Sequence, residues 1–585
     1  MKVVPTACVG WFLAGVAVAA TSLSTTANST YYNPVLPGFH PDPSCIQNEG
    51  IFYCVSSTFL AFPGLPIHAS KDLINWKLIS HVWNRDSQLP GFSWNTTDQK
   101  YGFWAPTIRY HEGEFYVISA YRVPGGDFVG TVFKSSDPFG SDPEAWSDPV
   151  LYEGEHIDPD LFWDDDGQAY VASGGIHIME IDLETGETDN VVKIFNGTGL
   201  YGSREGPHIY KKDDWYYLLH AEGGTGMDHS VVMARSRNIT GPYEGAPHNP
   251  VLTARGTNNY FQTVGHADLF QDADGNWWGM CLAIRSGKEY LNYPMGRESV
   301  LFPVTWEKDD WPVLQPVQGR MSGWSLPPTD LDLPGEGQFN HDGDSYDFPE
   351  GSSLPSHFLH WRIPRPGTFS TGDKGLSIVP SRANLTGLWG RDQPIELSGQ
   401  HGISFVGRRQ THSLFSFSID LLFKPQSVGQ EAGVTVFATQ FSHYDLGVVL
   451  LDEPDSDSPQ LSLRFRAIGR RGPPKDKTVP LPREWGVGCQ RIRLQVQSIN
   501  ETYYEFSAMS VTIPNAQIVV ASASTLHISG DVSSYIGVQL GAYATCNGAG
   551  EGYDCPPGGT AHVNRWKYRP TGQHISRNEV IPVVA

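Results

Sequence analysis

Asn48-Glu49-Gly50-Ile51-Phe52-Tyr53, His111-Glu112-Gly113-Glu114-Phe115-Tyr116, Asp165-Asp166-Gly167-Gln168-Ala169-Tyr170, Lys212-Asp213-Asp214-Trp215-Tyr216-Tyr217 and Asp274-Gly275-Asn276-Trp277-Trp278-Gly279 are five versions of one signal. In each, a polar turn runs straight into an aromatic strand, which is how a hairpin reads. The matching aromatics Tyr53, Tyr116, Tyr170, Tyr216 and Trp278 recur at roughly 46 to 63 residues, the period of propeller blades and solenoid repeats. Eleven or twelve residues upstream of them stand Asp42, Trp104, Asp158, Glu205 and His266. In a propeller, residues in step converge on the mouth of the central axis. The pattern therefore predicts that these five meet there, three of them carboxylates.

The rest of the chain agrees with an all-β protein. Its 585 residues exceed the size at which one core stops growing, so two domains are expected. Aromatics at 12%, with 62 Gly and 43 Pro, speak for short strands and tight turns. The hairpins predict a five-bladed β-propeller over residues 31–325. The polar, Pro-rich stretch 326–346 reads as a linker lying on the surface. From 347 to 575, apolar strand-length segments such as HSLFSFSIDLLF and AGVTVFATQF alternate with turns every 8 to 12 residues, the spacing of an antiparallel β-sandwich.

Residues 1–20 carry Lys2, an apolar run and the small residues Ala17, Ala19 and Ala20, a secretory signal pattern that predicts an extracellular protein. Sequons at Asn28, Asn95, Asn196, Asn238, Asn384 and Asn500 fit export. Six cysteines remain outside the signal. Cys546 and Cys555 flank a Gly-rich loop and form the best disulfide candidate; Cys45 and Cys54 face each other about the turn Asn48–Gly50, either as a disulfide or as two buried thiols. Cys281 and Cys489 read as unpaired. A net charge of −22 argues against nucleic acid or an anionic membrane as partner and suits a neutral substrate.

Asp42 lies between two prolines, Asp158 is followed by Pro159, and Glu205 by Gly206-Pro207. One Asp-Pro is an ordinary turn dipeptide. Three acids in register on different blades are costly as a cluster unless they do chemistry. Carboxylates beside aromatics suit glycoside hydrolysis, which needs one protonated and one ionised carboxyl on either side of the scissile bond. Glu205 reaches farthest and is the expected acid, Asp158 the neighbour that raises its pKa, and Asp42 the base. Placement across an axial funnel favours the separation of roughly 6.5 to 9.5 Å that leaves room for water, and so inversion.

At these residues the chain resembles glycoside hydrolase family 43, in particular β-xylosidase and α-L-arabinofuranosidase members with a C-terminal β-sandwich. The strings NPVLPGFHPDPS, STFLAFPGLPIHASKDLINW, WAPTIRY, IDPDLFWDDDG, SREGPHIYK, GHADLF and PMGRES carry the resemblance, and GRRQTHSLFSFSIDLLF and EAGVTVFATQFSHYDLG extend it into the second half. It implies a concanavalin-like (jelly-roll) sandwich, the same three catalytic roles, sugar-shaping aromatics at Phe59 and Trp104, a substrate-contacting Arg297, and His266 at the channel floor. It implies terminal β-1,4-D-xylosyl or α-L-arabinofuranosyl residues of xylo-oligosaccharides and arabinoxylan as substrate. No cofactor is expected; a structural calcium near His266 is the less favoured alternative. Leu60-Ala61 stands where some relatives place a carboxylate and a large aromatic, which implies a roomier pocket wall. The Cys546–Cys555 loop of the sandwich is expected to have a packing role, closure of the pocket being the less favoured alternative. Two rivals remain: a strict arabinofuranosidase, and a lectin without catalysis, which would not require three acids.

Overall fold

The structure, a computed structural model, describes residues 29–583 apart from 92–99, 124, 126, 154–156, 201, 388–401, 453–457, 470, 487 and 531–534. The expected signal segment and the sequons Asn28 and Asn95 lie outside the described residues. Among the described residues there is no α-helix, and no helix long and apolar enough to cross a membrane.

The quoted hairpins each join the two inner strands of a blade. Blade I is the antiparallel sheet Ser44–Asn48, Ile51–Val55, Gly64–Ser70 and Lys77–Trp83. Four more sheets follow, starting with Gly102–His111, Asp160–Trp163, Arg204–Lys212 and Phe261–Gln271 (blades II to V). In blades I, II and IV the turn has two residues, both left-handed: Glu49-Gly50, Glu112-Gly113 and Asp213-Asp214. That geometry matches the right-handed twist of the flanking strands. Blades III and V use five-residue turns with Gly167 and Gly275 left-handed.

The innermost strands touch one another in cyclic order, and Ser44–Asn48 contacts the first strands of both blade II and blade V, closing the ring. Apolar clusters fill the gaps between blades. The largest joins blades IV, V and I through Tyr217, Met233, Trp278, Phe302, Phe52 and Trp76. The ends of the propeller are clasped: Thr30–Tyr32 pairs with Arg320–Ser322, and Asn33 bonds Leu301 through both its amide nitrogen and its oxygen.

The second half is a sandwich of a six-stranded and a nine-stranded sheet around a continuous apolar core. Its first strand, Asp344–Tyr346, already pairs with the long strand Ala561–His574 and takes the last three residues of the expected linker. The sandwich is packed onto blade I: Ala61-Phe62 pairs with His360-Trp361, and Leu60 is buried with Trp361, Phe405, Phe437 and Tyr543. Leu60 and Ala61 have no exposed surface. They form part of the domain interface rather than the pocket wall that the resemblance implied, because Ala61 pairs with Trp361 and Leu60 packs among sandwich side chains. Both candidate cysteine pairs, Cys45–Cys54 and Cys546–Cys555, are disulfides; Cys281 and Cys489 are free.

Candidate active site

Each blade sends one left-handed residue to the same rim: Asp42 (φ 53°), Ala105 (33°), Asp158 (58°), Gly206 (57°) and His266 (51°). Such backbone is uncommon outside glycine and bends the strand it interrupts. The ladders of blades II, IV and V shift register at these points. Strict step therefore holds for Asp42, Asp158 and His266, whereas Trp104 and Glu205 stand one residue ahead of the equivalent positions Ala105 and Gly206. The offset has a purpose in blade IV. The Gly206 N–H donates to Asp158 Oδ2 at 3.1 Å, and a Cβ on Gly206 would come within 2.9 Å of the His266 ring.

Beneath this rim lies a second polar layer to which all five blades contribute. Arg109 pairs with Asp160 at 2.6 Å and with Asp268 at 2.9 Å; Ser44 and Tyr210 each donate to Asp268 at 2.6 Å, and His208 lies beside Asp160. Burial opposes the Asp268 charge, but Arg109, His208 and the hydroxyl donors outweigh it and hold the carboxyl well below its usual range. This layer is an ionic floor whose two carboxylates are fully buried. His266 is not that floor: it sits one level higher, its Nδ1 4.0 Å from Asp42 and 3.9 Å from Asp158.

Asp42, Asp158 and His266 are 5%, 6% and 6% exposed. Asp42 accepts from Arg297 Nη1 and from Ser57 Oγ, both at 2.6 Å. Burial pushes its carboxyl upward, yet Arg297, His266 and Ser57 together prevail and the net shift is downward. Glu205 accepts from Ser203 Oγ at 3.0 Å and has His229 3.9 Å away. Burial raises its carboxyl, with Asp42 adding to the rise. Asp158 is raised further, by burial first and then by the charges of Glu205 and Asp42, against which it accepts the Gly206 backbone amide. Asp158 and Glu205 thus titrate as one pair, with Asp158 the harder to ionise. Burial keeps His266 and His229 neutral, at about 4 and about 3.

Arg297 is locked from a second direction. Its Nε and Nη2 donate to the carbonyl of Tyr535, at 3.1 and 3.0 Å, and Tyr535 belongs to the sandwich. The Tyr535 ring packs against Trp104 (5.7 Å) and Phe59 (6.2 Å). Phe59 is wholly buried and stands behind Arg297 and Trp104 instead of facing open space. Trp104 is half-buried, its Nε1 bonded to the Lys100 carbonyl. The sandwich segment at the acids is therefore Tyr535-Ile536, and not the Cys546–Cys555 loop. That loop is bound to the flank of its own domain: Arg382 donates to the carbonyls of Gly548 and Gly552, and Arg365 pairs with Asp554. Sequence reasoning passed over Ser57, Ser203, His229 and Tyr535. Ser57 lies inside STFLAFPG and was within reach; Tyr535 carries no periodic signal.

The carboxylates around His266 are engaged elsewhere, whereas calcium takes six to eight oxygen ligands. Both oxygens of Asp268 are occupied by Arg109, Ser44 and Tyr210, and Asp42 is held by Arg297. Among the described residues no three His, Cys, Asp or Glu side chains form a group that could hold a metal.

Comparison with known proteins bears on this geometry. Residues 31–312 match the model of glycosyl hydrolases family 43, and 345–568 that of the beta xylosidase C-terminal concanavalin A-like domain. A non-reducing end α-L-arabinofuranosidase of Bacteroides ovatus is 34% identical over 89% of this chain and 92% of its own. A xylosidase/arabinosidase of Butyrivibrio fibrisolvens is 33% identical over 88% and 96%. The solved structure of a Bacteroides ovatus xyloglucan PUL family 43 protein superposes with a TM-score of 0.77 at 32% identity, covering 92% of this chain and 99% of that one.

Proposed function

The chain belongs to glycosyl hydrolases family 43 and is a glycoside hydrolase; from that premise we propose that it is a secreted, inverting exo-glycosidase. Its substrates on this reading are terminal β-1,4-D-xylosyl and α-L-arabinofuranosyl residues of xylo-oligosaccharides and arabinoxylan. The observation that carries the mechanism is the split among the acids. Arg297 and Ser57 each reach Asp42 at 2.6 Å and pull its carboxyl down, whereas burial pushes the carboxyls of Asp158 and Glu205 up.

Asp42 takes a proton from a water that attacks the anomeric carbon. Glu205 gives its proton to the glycosidic oxygen as the C–O bond breaks, and the product emerges with inverted configuration. Asp158 acts as the orienting residue: it accepts the Gly206 N–H and so holds the backbone that carries Glu205. His266 and Arg297 position Asp42. Trp104 and Tyr535 wall a site whose acids are almost out of solvent, which favours release of a single terminal unit over cleavage within a chain. The two disulfides and the exposed sequons Asn196, Asn238 and Asn500 support an extracellular location.

The test is a panel of aryl xyloside, aryl arabinofuranoside, xylobiose and arabinoxylan, with the product anomer followed by NMR. Inverted monosaccharide as first product is expected, unaffected by chelator. A retained anomer overturns the roles of Asp42 and Glu205, and internal cleavage overturns the exo reading. Export is checked by sequencing the N-terminus of protein recovered from the medium.

A further inference from the structure

Arg409 ends the sandwich strand Ser404–Arg409 and is 5% exposed. Its Nε donates to the Phe39 carbonyl at 2.8 Å, and its Nη2 has no hydrogen-bond partner. It makes no ion pair among the described residues. A buried guanidinium without a counter-charge is among the costliest arrangements in a folded protein. Its neighbour Arg408 does not share the difficulty, being paired with Asp344 at 2.6 Å. Asp344 has nothing left to offer, since Trp566 donates to its second oxygen at 3.0 Å and His357 lies 3.2 Å from the first. Arg409 therefore has no carboxylate of its own.

Both arginines line a cavity of about 30 Å³ between blade I and the sandwich, together with His40, His68, His357 and Thr411. We propose that this cavity binds one small inorganic monovalent anion, chloride under ordinary conditions, which neutralises Arg409. A volume of this size holds one or two waters, and so a chloride-sized ion; it excludes a sugar or a phosphate ester. A water would satisfy the idle N–H but leave the charge. The other groups facing the cavity suit an anion. His40 and His68 come from the propeller, with His81 behind them, and His357 from the sandwich. Burial, then Arg409, pushes His40, His68 and His81 below their usual value, the last to about 3, so these rings are neutral; the one N–H of His40 goes to the Pro37 carbonyl at 3.0 Å, which leaves His68 as the lining propeller ring with an N–H for the anion. Burial also lowers Arg409 itself, to about 9. The ion would tie the sandwich to blade I immediately behind Phe39, which packs on Phe59 at the back of the active site.

The decisive experiment is diffraction at the bromide absorption edge from wild-type crystals grown in sodium bromide. An anomalous peak within hydrogen-bond reach of Arg409 Nη2 is expected. Its absence, while bromide appears elsewhere in the same crystal, overturns the proposal and leaves a water there. In parallel, melting is compared in chloride and gluconate at equal ionic strength. Chloride at a hundredfold excess over half-saturation should raise the midpoint by about 2 °C, and Arg409→Met should abolish that difference. An undiminished chloride response in Arg409→Met also refutes it.

Discussion

Replacing Arg297 by Met removes the guanidinium that holds Asp42 at 2.6 Å and clasps the Tyr535 carbonyl. Asp42 is then a buried carboxylate with one hydroxyl donor, Ser57. Breaking one side of a buried pair costs about 3–5 kcal/mol. For a chain of this length the unfolding entropy is roughly 1 kcal/mol per degree, so a cooperative transition should fall by about 3–5 °C. The sign of the pH dependence follows from Asp42. Its folded pKa lies below the unfolded value, so the pair's contribution is present above the unfolded value and is lost as pH falls through the folded one. The deficit of Arg297→Met should therefore be full at pH 7 and shrink at the lowest pH where the wild type stays folded. In an Asp42→Asn background the same change should cost little, because the charge it strands is gone. The acid limb of kcat/KM should move to higher pH, since Asp42 becomes easier to protonate. Calorimetry at both pH values, with the double variant, decides the matter. A deficit that is equal at every pH, or undiminished in the Asp42→Asn background, would mean that Arg297 acts by packing alone.

Glu205→Ala should lose about 10²- to 10⁴-fold on xylobiose, whose leaving group needs a proton, and far less on an activated aryl glycoside; equal losses on both would remove Glu205 as the acid. Gly206→Ala forces a side chain into left-handed backbone, at about 1–2 kcal/mol, and against His266. It should lower kcat about 10- to 100-fold by displacing the acids while melting falls only about 1–2 °C. Wild-type turnover in that variant would show that Glu205 does not depend on the glycine beside it. Tyr535→Ala keeps the carbonyl that Arg297 holds but deletes the ring, so KM should rise about 5-fold, as expected for the loss of about 1 kcal/mol of aromatic contact, with kcat little changed. A fall in kcat at constant KM would place Tyr535 in the chemistry instead.

The blades were legible because their turns are chemically constrained. Two consecutive left-handed residues at Glu49-Gly50 or Glu112-Gly113 leave few residue choices, and an aromatic strand must follow to fill the gap between blades. The acids were legible because prolines and a glycine pin the backbone beside them. What periodicity could not give is the one-residue offset of Trp104 and Glu205. A bulge is a local decision of one strand and leaves the hydrophobic period unchanged. Nor could it give Tyr535, which comes from a domain with its own, unrelated strand pattern. The Leu60-Ala61 substitution was misread for a related reason: its meaning depends on what the sandwich does, and no repeat within the propeller encodes that.

The charge balance of the axis explains why the site has an acid and a base at once. In the lower layer, Arg109 is shared by Asp160 and Asp268, and hydroxyl donors from Ser44 and Tyr210 relieve Asp268 further. The upper layer has three carboxyls and again a single guanidinium, but Arg297 contacts only Asp42 among them. His266 and His229 cannot supply the missing positive charge, because burial keeps both neutral at working pH. One ionised carboxylate is thus compensated and the remaining two are not. In a space this dry the cheaper solution is to keep a proton. The imbalance is what a glycosidase requires: the fold provides a base by pairing one acid with Arg297, and provides an acid by giving its neighbours neutral donors and no guanidinium of their own.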